Sequence, residues 1–335
     1  MRWGRLLAFL GYGAVLHLAA VGLYDALVTS GHKALRNDRV FLAGPGDVDV
    51  LVLGDSHPRT AIDVRFLGPA CASLAIGGQD LVKTWYRFHQ LVEQGDKHVG
   101  TLVVGLDPSS FSAWRSDLFA PEVVWGRYVD FWELGREQGE PLRYVQPWLE
   151  AHVVPYAGEL RTFNQLRTRR FGFGDDLPRG FFSALPPVER RAKALSDAKE
   201  HFKDQDLAHP PLRAAWQHLV DWADERGVSV VAVTFPTTPE YEVWVRRAGA
   251  RETMESEVAR PFVQADPEHH VWLDWHAAFD AHPEAFADSN HLNAAGRTVL
   301  SRRLAEELRR RGLLGERTGG PGFEPDEDLV LEEVP

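Results

Sequence analysis

The 335-residue chain carries 44% apolar and 25% charged residues, enough apolar content for a sizeable core, and a net charge of −11. That charge excludes a general nucleic-acid binder, which needs Lys and Arg clustered against phosphates. A single cysteine, Cys71, excludes an internal disulfide and any cysteine-built metal centre, and its place beside a predicted strand suggests a buried, inert thiol.

In chain order, residues 1–30 come first. Arg2 and Arg5 precede residues 6–28, an apolar run in which His17 and Asp25 are the strongly polar members. At about 1.5 Å per residue such a run crosses a bilayer core. It exceeds the apolar part of a usual signal peptide and no small-residue cleavage site stands out, so an uncleaved anchor is expected over a removed signal or a buried helix. The leading arginines keep that end in the cytoplasm. They predict a single-pass protein of the cell membrane with its body on the extracytoplasmic side. Residues 31–46 are polar, with Gly-Pro-Gly at their end, and suggest a linker.

The body is expected over residues 47–313. Its first segment reads VDVLVLGDSHP over residues 48–58, a β-branched apolar run stopped at Gly54. This is the pattern of a short strand buried in a parallel sheet. Pro58 predicts that a helix starts only beyond it. Residues 71–76 suggest a second strand, stopped by Gly77 and Gly78. Residues 79–94 are apolar at helical spacing, and residues 99–106 form a third strand ending in Asp107 and Pro108. This alternation predicts parallel pairing with right-handed crossovers.

From 109 to 208 the pattern degrades into a region rich in aromatic residues and arginine. It is expected as a long insertion, or lid, over the active-site edge, with helix at 131–138 and 188–203. Trp114, Trp125, Trp132 and Trp148 suggest either sugar-stacking platforms or the packing of that lid. Periodicity returns with a helix at 211–226, a strand at 228–235, a helix at 240–263, a short strand at 271–273 and a last helix at 293–311. Residues 314–335 are expected as a disordered acidic tail, with seven acidic residues against one arginine from 316 onward.

Two blocks carry chemistry. Ser56 sits where the first strand hands over to a loop, the edge at which open α/β sheets bind ligands. Asp288 and His291 lie three apart, just before the last helix. A serine nucleophile needs a base and a carboxylate to orient that base, and an Asp-x-x-His loop can supply both. The Gly-x-Ser-x-Gly elbow of α/β-hydrolases does not fit, because Pro58 stands two residues after Ser56. His57 and Arg59 suggest contacts with an anionic or sugar substrate at the mouth, or a solvated loop. No convergent ligand pattern points to a metal, and no cofactor is implied.

Gly54-Asp55-Ser56 near the start and Asp288-x-x-His291 near the end resemble the SGNH/GDSL hydrolase superfamily. The resemblance covers roughly residues 48–107 and 228–311. It implies a three-layer, flavodoxin-like α/β fold with five parallel strands. It also implies Ser56 as nucleophile, His291 as base and Asp288 as its orienter, with the N–H groups of Ser56 and Gly77 as oxyanion donors and Gly78 as the other register. The family's third block, Gly-x-Asn-Asp, is Gly105-Leu106-Asp107-Pro108 here, without the asparagine. An ionised Asp107 repels an oxyanion and is left as a substrate contact. The remaining donor is then Ser109, Ser110, a residue of the insertion, or none. Anchored members of this layout resemble proteins that add or remove acyl groups on surface polysaccharides, some beside a polytopic membrane acyltransferase. The expected partners are therefore an acyl donor and a polysaccharide or lipid acceptor. The expected function is an envelope O-acyltransferase or O-acylesterase, with a general esterase or lipase, or an inactive scaffold subunit, as the other readings.

Overall fold

A computed structural model describes residues 2–24, 26, 33–114, 125–153, 180–202 and 209–314; the acidic tail expected from 314 onward lies almost wholly outside the described residues. The chain divides into two compact units, residues 1–40 with 120–174 and residues 41–119 with 175–335.

In the first unit, α1 (Arg2–Tyr24) is an apolar helix with no buried stretch. Its segment Trp3–Tyr24, with a mean hydropathy of 2.0, is long and apolar enough to cross a membrane. Residues 33–43, expected within a linker, instead form α2 (Lys33–Ala43), whose last three residues belong to the second unit. Leu35, Asp38 and Phe41 are its buried positions, a helical spacing hidden among charged residues. Asp38 accepts a 2.5 Å hydrogen bond from the Tyr128 hydroxyl. From the insertion, this unit holds α5 (Phe131–Glu137), capped by the Asp130 carboxylate, and α6 (Val145–His152). The rings of Trp132 and Trp148 pack 6.2 Å apart.

The second unit is built on five parallel strands in the order β2-β1-β3-β4-β5: β1 (Asp47–Leu53), β2 (Cys71–Ser73), β3 (His98–Gly105), β4 (Ser229–Thr234) and β5 (His270–Asp274). The central three are buried almost throughout, so their side chains are apolar on both faces. Val50, Val52, Val103, Val231 and Val233 pack toward one layer with Leu300, Leu304 and Leu308 of α12 (Ala294–Arg310). On the other face lie α4 (Leu81–Gln94) and α8 (Pro210–Arg226), joined by the edge-on pair Phe88–Trp222 with centroids 4.7 Å apart. Cys71 opens β2 and is half-buried rather than sealed in the core.

Two expectations of local structure change. A helix, α3 (Ser56–Ala61), begins before Pro58. Proline is tolerated there because first-turn N–H groups have no intrahelical acceptor anyway. The helix expected at 240–263 is broken at Gly249, φ +69°, into α9 (Pro239–Arg247) and α10 (Ala250–Met254). It continues through one π-helical turn, Glu255–Ala259, into α11 (Arg260–Ala265). From the insertion, α7 (Pro187–His201) packs with this unit against α9.

Candidate active site

Every strand of a parallel sheet ends at the same edge, and the loops beyond those ends bring the singled-out residues together. In the order found here the connection reverses between β1 and β3, the point where such sheets open a crevice. Ser56 follows β1, Gly77 follows β2, Asp107 follows β3, Phe235 follows β4 and the Asp288–His291 loop follows β5.

The turn out of β1 is set by Gly54. Its φ is +124°, and a β-carbon there would stand 2.9 Å from Pro58 Cγ. Only glycine adopts that backbone without strain. Asp55 then caps α3, its Oδ1 accepting the His57 N–H at 2.8 Å. Ser56 is the first helical residue and stays half-exposed at the crevice.

His291 is held by a tight loop. Phe286 and Leu292 form an isolated antiparallel bridge, and the Ala287 N–H donates to the His291 carbonyl at 2.9 Å. Within the loop, Asp288 Oδ1 accepts the backbone N–H groups of Asn290 (3.0 Å) and His291 (2.9 Å). The carboxylate also meets His291 Nδ1 at 2.9 Å, and His291 Nε2 lies 2.8 Å from Ser56 Oγ. Burial pushes the Asp288 carboxyl up, but the bond from His291, that ring's charge and the two N–H donors outweigh it. Asp288 is thereby held below the ordinary carboxylate range. An ionised Asp288 fixes Nδ1 as the protonated nitrogen, leaving Nε2 to accept from the serine.

The oxyanion residues named from the sequence border the same space. A β-carbon on Gly77 would lie 3.8 Å from Ser56 Cβ, and the Gly77 N–H makes no hydrogen bond among the described residues. As first residue of α3, Ser56 carries one of the orphan N–H groups of a helix start.

The three residues expected at the substrate divide. Arg59 is half-exposed at the crevice, its Nη1 beside Gly77. His57 and Asp107 lie buried instead: each is 2% exposed, and His57 Nδ1 meets Asp107 Oδ2 at 2.8 Å. Asp107 Oδ1 accepts the Phe235 N–H at 2.9 Å, so both oxygens are engaged inside the protein. Ser109 and Ser110, considered as further oxyanion donors, are also buried, and the Ser110 hydroxyl accepts the Asp107 N–H.

Sequence reasoning missed what surrounds these groups. Asn290 Nδ2 lies 3.2 Å from His57 Nε2, so a buried relay runs Asn290–His57–Asp107–Phe235 beside Ser56 and His291. The His57 and His291 rings meet edge to face at 5.1 Å. Asn290 sits inside the block already singled out, but nothing local shows that it reaches residue 57. The Ser289 hydroxyl donates to Asp197 of α7 at 2.5 Å, and its carbonyl accepts from the Thr238 hydroxyl at 2.8 Å. The insertion thus touches the Asp288–His291 loop through α7. Trp114, also from the insertion, packs on His201 with ring centroids 4.6 Å apart.

Asp55, His57 and Asp107 place one ligand atom each within 4.8 Å of one another. Those atoms are already engaged, Asp55 by the His57 N–H and Asp107 by the His57 ring and the Phe235 N–H. A cation there would have to break that network, and the cluster carries no metal assignment. No protein-family model matches the chain, and no curated protein matches it.

Proposed function

We propose that this protein is a membrane-anchored serine acyl-enzyme of the SGNH/GDSL type. It moves an acyl group from an ester to a sugar hydroxyl or to water. The observation that carries this reading is the continuous chain from Asp288 through His291 to Ser56 Oγ, at 2.9 and 2.8 Å. Those lengths are the contacts a nucleophile, its base and the base's orienter need. The five parallel strands, with the chain of contacts at their carboxyl edge, support a fold of that superfamily.

In this mechanism Ser56 Oγ attacks the ester carbonyl while its proton passes to His291 Nε2. The imidazolium so formed is stabilised through Nδ1 by Asp288. The leaving alcohol takes the proton back, and the acyl-serine is released to an acceptor activated by the same histidine. Arg2 and Arg5 at the leading end of an apolar helix support an outward-facing body. The reachable substrates there are envelope polysaccharides, lipids or other surface acyl esters, and a polytopic membrane acyltransferase is a fitting source of acyl groups.

A fluorophosphonate probe tests the chemistry. Covalent labelling of the full chain in detergent is expected, with loss in Ser56→Ala and in His291→Ala. Absence of labelling in folded wild-type protein refutes the enzyme and leaves a binding or scaffold role.

A further inference from the structure

The buried state of Asp107 removes one group from the crevice, and Arg59 occupies the ground beside it. Ser56 and Arg59 are three residues apart in α3, a spacing that puts both on one face of the helix. The missing side chain of Gly77 opens a wedge between them. The first carbon of any side chain there would stand 3.1 Å from Arg59 Nη1 and 3.8 Å from Ser56 Cβ. The guanidinium and the nucleophile therefore line the same small space, with the uncommitted Gly77 N–H at its wall. Negative charge developing in the wedge meets a cation at short range.

We propose that Arg59 is a catalytic residue whose guanidinium donates to the oxyanion formed when Ser56 attacks an acyl carbon. The proposal rests on the acyl-serine reading above. As the Ser56 Oγ–carbon bond forms, the carbonyl π pair moves onto oxygen, and that oxygen faces Arg59 and the N–H groups of Ser56 and Gly77. Collapse returns the pair to the carbonyl, breaks the bond to the leaving alkoxide, and the proton held by His291 goes to that alkoxide. Arg59 stays protonated throughout. A side chain at 77 would occupy the space between donor and nucleophile and would have to displace the Arg59 guanidinium.

The competing role for Arg59 is an anion subsite for a charged acyl donor or acceptor, and kinetics separate the two. The full chain in detergent micelles is assayed with p-nitrophenyl acetate, which is neutral, and mono-p-nitrophenyl succinate, which carries a carboxylate. An oxyanion donor predicts that Arg59→Gln lowers kcat by about 100-fold for both esters while KM moves less than about threefold. Fluorophosphonate labelling of Ser56 should slow in step. Arg59→Lys, which keeps the charge but loses the fork, should lose about tenfold in kcat, and it carries the test if the Gln variant does not fold. An unchanged kcat, or a loss confined to KM for the succinate ester, overturns the proposal. Wild-type protein that does not label at Ser56 overturns the acyl-serine reading and this one with it. Labelled wild type with indifferent Arg59 variants overturns this one alone.

Discussion

Asp107→Ala offers the sharpest test of how the site is held. The carboxylate accepts two buried donors, the His57 ring at 2.8 Å and the Phe235 N–H at 2.9 Å, and both residues are 2% exposed. Water does not replace a partner at such depth without rearrangement. Each orphaned donor costs about 1–3 kcal/mol, and removing one partner of a buried pair typically costs about 3–5 kcal/mol. The expected loss is therefore about 3–5 kcal/mol, a large share of the roughly 5–15 kcal/mol that keeps a domain folded. Asp107→Asn behaves differently. Its Oδ1 still serves Phe235, but the amide now presents a donor to His57 Nδ1. The ring must then change tautomer, and Asn290 must turn its carbonyl oxygen toward Nε2, so a cost of about 1–2 kcal/mol is expected. Urea denaturation followed by fluorescence of the chain's 11 tryptophans measures both. His57→Ala combined with Asp107→Ala should be non-additive by at least about 1 kcal/mol, since the two share one network. An alanine variant within about 1 kcal/mol of wild type, or an asparagine variant worse than alanine, refutes the relay as drawn.

Three more outcomes follow from single groups. Cys71 is pushed up to about 11, by burial first and then by Asp49, with Val50 and Arg309 acting against it. At pH 8 its alkylation by iodoacetamide should run roughly 100-fold slower than after unfolding, because the thiolate is the reactive form. Asp288 has a folded pKa held below its ordinary 3.8, so it contributes stability above that pH and loses it as pH falls through the folded value. Acid titration by circular dichroism should show a shallower decline below about pH 4 in Asp288→Asn than in wild type. Gly54→Ala meets both a φ of +124° and a β-carbon 2.9 Å from Pro58 Cγ. A loss of at least about 1–3 kcal/mol in urea melts is expected, and a neutral result means the turn out of β1 differs from that described.

The parts of this protein that a reader of the sequence sees are those whose physics is local. A strand buried on both faces must be apolar along its length, so residues 48–53 and 228–235 announce themselves as β1 and β4. The Asp288–His291 block is legible because the carboxylate needs only a three-residue loop to reach both the ring and the backbone. What the sequence hides depends on strand order. His57 and Asp107 are 50 residues apart, and they meet because β1 and β3 are neighbours. Nothing near either residue encodes that pairing. Arg59 follows the same rule: its place beside Gly77 depends on β2 lying next to β1. The helix α2 was obscured differently, since its buried stripe includes Asp38, which counts as polar until Tyr128 supplies a donor.

Asp107 and Asn290 also explain how two distant loops stay in register. Ser56 and His57 are consecutive, as are Asn290 and His291. The contacts 56–291 at 2.8 Å and 57–290 at 3.2 Å therefore form two adjacent rungs between α3 and the Asp288–His291 loop. One hydrogen bond leaves two segments free to pivot about it; a second beside it removes that freedom. The outer rung lies at the crevice, between half-exposed side chains. The inner rung is buried and is anchored through Asp107 to the Phe235 N–H just beyond β4. On the acyl-serine reading proposed above, a reactive rung held by a structural one keeps the nucleophile–base contact aligned without placing rigid, fully bonded groups where a substrate would enter. On this account Asp107 stands where it does because its carboxylate is the fixed end of that inner rung, and an asparagine turned toward the crevice from the same position could not hold it.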